Sequence, residues 1–481
     1  MDIASVIAFL SLHFDEIVTV LKPVLIIALL FQVLPLLVLL ERRGAAFIQD
    51  RQGPQRATFN LQLTSIKGVF TGEGGDGLRM RGFGMLFNIA DLVKLLFKQS
   101  FVPPFAHKWW YILAPAIPVL AGLLTPAVLP WFAPIVHSVA PGDMRAVSGQ
   151  IFDTDNGLLV LFAIGSLSVY GVVLGSWSSN SKYSLLGGMR ASAMMISYEV
   201  SMGLSVLGMI LLVGDFSLTR IVDWQAANAW GVFVQPVGFL LFLTSMFAEC
   251  NRNPFDVAEG ESELVAGFHT EYASAKFMLF MTGEYLHVLI ASALVATLYL
   301  GGFDLVPFSY KLPGGPYDTA FIQAHLGLVG GLMLIVGGAG LLFASHLVTG
   351  RKRHYAKLQA SDKQSRVKEY GFFAAVFSFL AVILLLGGAA CLLLFPAPTP
   401  ISGAVYEAKP VYSLWVSIIT AVIQLHVVLG KTLLFCWLFI WVRWTLPRFR
   451  YDQIMALGWK VMLNVALANL LITALVAKLF T

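Results

Sequence analysis

The sequence predicts an all-α fold, a polytopic membrane bundle of about ten transmembrane helices with one amphipathic helix lying in the interface. Three observations predict it. Of the 481 residues, 58% are hydrophobic and only 12% are charged, and the mean hydropathy is +0.78. Apolar runs recur along the chain at about the 20 residues that cross a hydrocarbon core. No polar segment is long enough to build a soluble domain, so lipid is the solvent against which the fold is read.

In order, the predicted spans are roughly 17–40, 109–134, 157–175, 193–213, 230–248, 277–302, 323–348, 371–395, 411–442 and 458–480. The first lacks a basic n-region and a small-residue cleavage site and is expected to be retained as a helix. Cys250, Cys391 and Cys436 lie far apart with no C-x-x-C pair. Neither a disulfide framework nor a zinc or iron–sulfur site is therefore expected in this chain. Any redox centre it serves sits on a partner or is a diffusible cofactor.

Basic residues orient the spans. With the N-terminus outside, the inside loops 41–108, 176–192, 249–276, 349–370 and 443–457 hold ten, two, two, seven and three Lys or Arg. The outside loops hold one each, Arg145, Arg220, Lys311 and Lys409. That asymmetry follows the positive-inside rule, places both termini outside and supports an even number of spans. The net charge of +5 reflects the same bias. No basic stretch is interleaved with aromatics, so nucleic acid is not an expected partner.

One inside loop is acidic. The stretch "NPFDVAEGESELVAGFHTEY", residues 253–272, holds Asp256, Glu259, Glu261, Glu263 and Glu271 with no basic residue among them. Asp256 followed by Glu259 is expected to cap a helix, on which Glu259 and Glu263 would stack one turn apart. A plain solvated loop is the alternative. Against it stand Phe255, Val257, Leu264, Val265 and Phe268, which are apolar enough to hold the loop against protein or headgroups.

Ionisable residues also stand inside the spans: Glu199 in the fourth, Glu284 in the sixth with His287 one turn deeper, and Lys431 in the ninth. A charge at the bilayer centre costs at least about 2.5 kcal/mol on insertion scales, so such residues usually face a bundle interior or a water-filled path. Snorkelling suits the long stem of Lys431 but not the short glutamates. By counting from the loops, all three are expected in the inner half, near the depth of the acidic loop. Coupled carboxylates and a lysine in such a place suit a proton path.

The same face carries "ERRGAAFIQDRQGPQR", where Glu41, Arg42 and Arg43 meet the interface, and "GMLFNIADLVKLLFKQS", residues 84–100. The latter sets Leu86, Ile89, Leu92, Val93, Leu96 and Phe97 against Asp91, Lys94 and Lys98. It is too short and too charged to span and is expected to lie in the interface plane. Together these parts could frame a mouth for an amphipathic ligand entering from the membrane.

Five segments carry a family resemblance: "ERRGAAFIQDRQGPQR", "NIADLVKLLFK", "GSWSSNSKYSLLGGMRASAMMISYEV", "FAECNRNPFDVAEGESELVAGFHTEY" and "WVRWTLPRFRYDQIMALGWK". The chain resembles the H-type membrane subunit (subunit 1 in mitochondria) of proton-translocating NADH:quinone oxidoreductase, respiratory complex I. The resemblance implies eight family helices, a quinone tunnel built largely from the inner loops, and a line of buried acids leading away from it. On the matching motifs it implies tunnel positions for Arg42, Asp91, Arg252, Asp256 and Phe268. Proton-coupling positions follow for Glu41, Glu199, Glu249 and the loop acids Glu259, Glu261, Glu263 and Glu271, and for Glu284 and Lys431 in the membrane. The substrate would be a quinone, ubiquinone or menaquinone. NADH, FMN and the iron–sulfur clusters would sit on partner subunits, among them the hydrophilic quinone-site subunits, with small membrane-arm subunits and lipid as further neighbours. A bacterial inner membrane is the expected location.

The chain departs from the family pattern in three places. Residues 62–84 are a glycine-rich addition, Gln99-Ser100 stands where the family favours an acid, and 305–410 adds two spans around the basic loop 350–371. The expected organisation is thus a core bundle over 1–304, an inserted segment over 305–410 and the last two core helices over 411–481. The insertion interrupts no matching motif and is expected to be peripheral to the chemistry. Two alternatives remain from sequence: the homologous subunit of a membrane-bound hydrogenase, and a stand-alone proton-coupled transporter. The absence of an evident inverted repeat with paired broken helices speaks against the transporter.

Overall fold

The computed structural model describes residues 13–51, 82–140, 143–308, 319–357, 363–394 and 412–480, with short pieces between them. Most of the 62–84 addition, and the middle of the basic loop at 358–362, lie outside the described residues. Among those described, eight helices are long and apolar enough to cross a membrane. They are Phe14–Ile48, Gly157–Ser178, Lys182–Val213, Ser274–Tyr299, Leu326–Lys357, Lys363–Leu394, Leu414–Thr445 and the run from Tyr451 to Phe480. The chain is a membrane-embedded helical protein.

The other two predicted spans are interrupted. The second comprises Lys108–Leu113 and Ala116–Leu124, parted at Pro115, where proline cannot donate a helical hydrogen bond. The fifth comprises Gly231–Val234 and Pro236–Glu249, parted at Gln235. Backbone freed inside a membrane bundle must be satisfied by protein. The buried Gln235 side chain ties this break to the last span, donating to Thr473 Oγ1 at 2.6 Å and accepting from Asn469 at 2.9 Å. The second and fifth predicted spans are therefore broken helices.

The chain divides into two compact units, one of residues 1–37, 94–321 and 403–481, the other of residues 38–93 and 322–402. The larger unit has a continuous apolar core in which Met194, Tyr198, Phe242, Leu298, Tyr299 and Phe439 are buried. Outside the bundle, Ile135–Ala140 and Asp143–Val147 form an antiparallel hairpin. The last span contains a π-helical stretch at Leu457–Met462 that faces the fourth span. There Tyr198 donates to the Ile454 carbonyl at 2.9 Å, Trp459 Nε1 donates to Ser197 Oγ at 3.0 Å, and a Cβ at Gly458 would lie 3.3 Å from the Tyr198 ring.

In the smaller unit, Leu326–Lys357 and Lys363–Leu394 lie side by side. Glycine lets their backbones approach, because a Cβ at Gly338 would come within 2.8 Å of Leu385 and one at Gly388 within 2.7 Å of Ile335. Ser345 Oγ adds polar contacts to the Ala374 carbonyl at 3.0 Å and Ser378 Oγ at 2.8 Å. This pair shares its unit with the C-terminal end of the first span. Phe83, just before the interfacial helix Met85–Phe97, packs among Tyr370, Phe373 and Phe377, and Gly82 N–H donates to Glu369 at 3.0 Å.

Candidate proton-coupling and quinone site

The acidic loop folds into the bundle instead of standing in solvent. Asp256, Val257, Ala258, Leu264 and Phe268 are all buried. Asp256 does not cap a helix, contrary to expectation: the helical turn there, Glu261–Leu264, begins after Gly260 at φ 44°. The Asp256 carboxylate instead takes Arg448 at 2.5 Å. The loop is further fixed by Asn253 Nδ2 on the Arg443 carbonyl at 3.1 Å and by Phe449 N–H on the Pro254 carbonyl at 3.1 Å. Phe255 lies edge-on between Tyr198 and Phe449. Burial, reinforced by nearby Glu259, pushes the Asp256 carboxyl up to about 7 even though Arg448 opposes the shift.

The far end of the loop lies on the fourth span at Gly187, and the adjacent Gly188 packs against the third span. A Cβ at Gly187 would come within 2.6 Å of Phe268 N, and one at Gly188 would collide with Ser176 Oγ. Ser184 Oγ donates to the Phe268 carbonyl at 2.8 Å, and the Phe268 ring meets Phe280 edge-on. Those contacts explain why "SLLGG" needs small residues there. Further along, Tyr111 donates to the Glu271 carbonyl at 2.6 Å and Tyr272 stacks on Tyr111.

Arg252 links loop to membrane. Its Nη2 lies 3.7 Å from Glu284 Oε2, and its guanidinium sits 4.3 Å from the centre of the Tyr285 ring. Two small cavities continue inward. One of about 20 Å³ is lined by Glu249, Asn251, Phe268, Glu284 and His287 among others. The other, of about 40 Å³, is lined by Glu199, Glu249, Thr125, Ser166 and His287 among others. The structure therefore brings Glu199, Glu249 and Glu284, from three different spans, around two adjoining cavities.

The remaining candidates are distributed differently. Glu263 pairs with Arg190 at 2.5 Å at a partly exposed position, and Glu259 and Glu271 are half-buried. The side chain of Glu261 lies outside those described. Arg42 pairs with Asp91 at 2.7 Å and lies over the Phe87 ring at 5.0 Å, in the smaller unit with half-buried Glu41. Ile89, Leu92, Val93, Leu96 and Phe97 are exposed, the apolar face expected of a helix lying in an interface.

Lys431 departs from expectation. Its Nζ donates to the carbonyls of Leu300 at 2.6 Å, Gly302 at 2.9 Å and Asp304 at 2.5 Å, just past the end of the sixth span. That is about 24 Å along the helix from Glu284 at 1.5 Å per residue. A cation at a helix C-terminus satisfies orphan carbonyls and complements the dipole. Trp230 completes the cap, its ring 4.3 Å from Nζ and its Nε1 donating to Asp304 at 3.0 Å. Lys431 is not beside Glu284.

Sequence reasoning passed over His287 as a site residue, and it had no means of naming Arg448, Arg190 or Tyr198. His287 carried a signal, since it stands three positions after Glu284 and shares its helix face. Among the described residues, no three His, Cys, Asp or Glu side chains converge as a metal-ligand set.

Comparison with known proteins adds to this geometry. A family model described as NADH dehydrogenase matches residues 21–349 and 367–474. The chain is 34% identical over 467 residues to NADH-quinone oxidoreductase subunit 8 of Rhodothermus marinus, covering 96% of this chain and 98% of that protein. It is 33% identical over 440 residues to the H 1 subunit of NADH-quinone oxidoreductase in Cytophaga hutchinsonii, covering 92% and 91%. The H subunit in Bdellovibrio bacteriovorus is 34% identical over 487 residues, covering 96% and 97%.

Proposed function

The chain belongs to the NADH dehydrogenase family that includes the H subunits of NADH-quinone oxidoreductase, and from that premise we propose that it is a non-redox membrane subunit that forms much of a quinone tunnel and couples quinone reduction to proton translocation through buried carboxylates. The observation that carries this reading is the contact of Arg252 with Glu284, which joins a folded acidic loop to a carboxylate inside a span. Quinone reduction to quinol consumes two electrons and two protons. The electrons come from a partner, because an iron–sulfur cluster needs about four thiolates and this chain has three cysteines. NADH, FMN and the clusters thus belong to the hydrophilic subunits, with small membrane-arm subunits and lipid completing the surroundings.

Protons taken up beside the loop change the charge felt by the Asp256–Arg448 and Arg252–Glu284 pairs. A charge in low dielectric acts over a longer range than in water, so carboxylates further inward respond by changing their own protonation. Arg42 and Asp91, at the end of the first span and on the interfacial helix, suit the entrance for an amphipathic tail. The location is a bacterial inner membrane with both termini outside. A photoreactive long-tailed quinone, applied to the assembled enzyme and followed by mass spectrometry, tests the tunnel. Label on residues 41–53 or 249–272 supports it, and label confined to other subunits contradicts it.

A further inference from the structure

The two cavities beside Glu249 are bounded by the same three side chains, those of Glu249, Cys250 and His287. Glu284 lines only the smaller cavity and Glu199 only the larger. A proton moving between those carboxylates must cross that shared wall. A thiol is a weak donor and acceptor, which leaves Glu249 and the imidazole as its effective polar parts.

His287 has the geometry of a crossing group. Its ring hydrogen-bonds the backbone of Pro118, and since proline offers only a carbonyl, the imidazole is the donor. Nε2 is buried without a hydrogen-bond partner among the described residues, so the bond to Pro118 belongs to Nδ1 and fixes the tautomer with the Nε2 lone pair available. The smaller cavity is also lined by Glu284, Asn251 and Ser168, whose Oε1, Oδ1 and Oγ are buried without a hydrogen-bond partner among the described residues. A buried water needs about 10–15 Å³ and two to four polar neighbours. The smaller cavity, of about 20 Å³, meets that need for one water. The larger, of about 40 Å³, has room for more than one and offers Thr125, Ser166 and Glu199.

We propose that His287 is a proton-relay group that joins Glu284 to Glu199 through water in the two cavities, a role that rests on the coupling function proposed above. The Glu284 carboxyl gives its proton to the water of the smaller cavity, and that water gives one to Nε2. The ring becomes imidazolium, with Nδ1–H still on Pro118. Nε2 then returns a proton to water in the larger cavity, from which it reaches the Glu199 carboxylate. No bond other than O–H and N–H changes, and no electron moves. Glu249 borders both cavities and is the other polar side chain of the wall the proton crosses.

The test uses the assembled enzyme reconstituted in vesicles, with His287→Gln, His287→Phe and, in parallel, Glu284→Gln. Gln keeps a hydrogen-bond acceptor but cannot titrate, and Phe keeps the ring volume. NADH oxidation by a water-soluble acceptor checks assembly. Both His287 variants are expected to lose quinone turnover and proton uptake together by about a hundredfold, the lower end of what a positioned proton-transfer group contributes, with an enlarged solvent deuterium isotope effect. Wild-type turnover and isotope effect in both would overturn the relay. So would full activity in His287→Gln with loss only in His287→Phe, which would reduce the imidazole to a hydrogen-bonding spacer. If Glu284→Gln is impaired while both His287 variants behave as wild type, the relay alone fails; if Glu284→Gln also behaves as wild type, the coupling function itself fails.

Discussion

Arg252 and Glu284 meet at 3.7 Å, with side chains only 7% and 12% exposed, where the acidic loop enters the bundle. Removing one partner from a buried pair leaves the other charge uncompensated, at a typical cost of about 3–5 kcal/mol. Arg252→Met is therefore expected to lower quinone turnover by at least about tenfold in enzyme that assembles. Arg252→Lys keeps the charge but gives up the planar stacking on Tyr285 and should fall between. Wild-type turnover in the Met variant would mean the contact is incidental.

Asp256 predicts a pH dependence. Its carboxyl is held at about 7 in the folded protein against about 3.9 when unfolded. Between those values the folded state binds more protons, so stability declines as pH rises through the window and the contribution is fully present only below about 4. In Asp256→Asn this part of the slope disappears. Thermal unfolding of the complex at pH 5 and pH 8 checks it: the shift between the two should shrink in the variant, and an unchanged shift would contradict the assignment.

Arg42 and Asp91 are 45% and 29% exposed, and a pair of that kind contributes no more than about 1 kcal/mol. Arg42→Ala should leave assembly intact yet weaken quinone reduction, with the KM for long-tailed quinones rising most. Equal activity with short- and long-tailed quinones in an assembled variant would remove Arg42 from the entrance.

Hydropathy and charge counts made the spans and the interfacial helix legible, because lipid imposes a length and a polarity that any single sequence must display. The breaks were less so. Pro115 and Pro236 were visible, but the partners of the buried Gln235 side chain at the second break, Thr473 and Asn469, lie far along the chain. The same limit hid the cations of the acidic loop: nothing local to Asp256 announces Arg448. Lys431 failed differently. Counting from loops assigns a depth, but it does not reveal that the sixth span ends against the middle of the ninth helix.

The insertion now makes a prediction opposite to the one its sequence suggested. Its helices share a compact unit with residues 38–93, where Tyr370, Phe373 and Phe377 surround Phe83 and Glu369 receives Gly82 N–H. Phe83→Ala removes a large aromatic ring, which typically costs about 3–5 kcal/mol when buried and less here, where Phe83 is only half-buried. Quinone reduction should fall in that variant, and in an assembled deletion of 305–410, in step with Arg42→Ala. Wild-type kinetics in both would leave the insertion peripheral to the chemistry, as its sequence suggests.

The central claim is that carboxylates inside the spans pass on the protonation change made at the quinone. Glu199→Gln and Glu284→Gln keep size and hydrogen bonding but cannot titrate. The direct measurement is NADH:quinone turnover and proton uptake in vesicles carrying each assembled variant. Turnover and uptake should fall together in both, with Glu→Asp milder at each position. Wild-type turnover and pumping in both Gln variants would contradict the account and leave the acidic loop as a folded but passive surface.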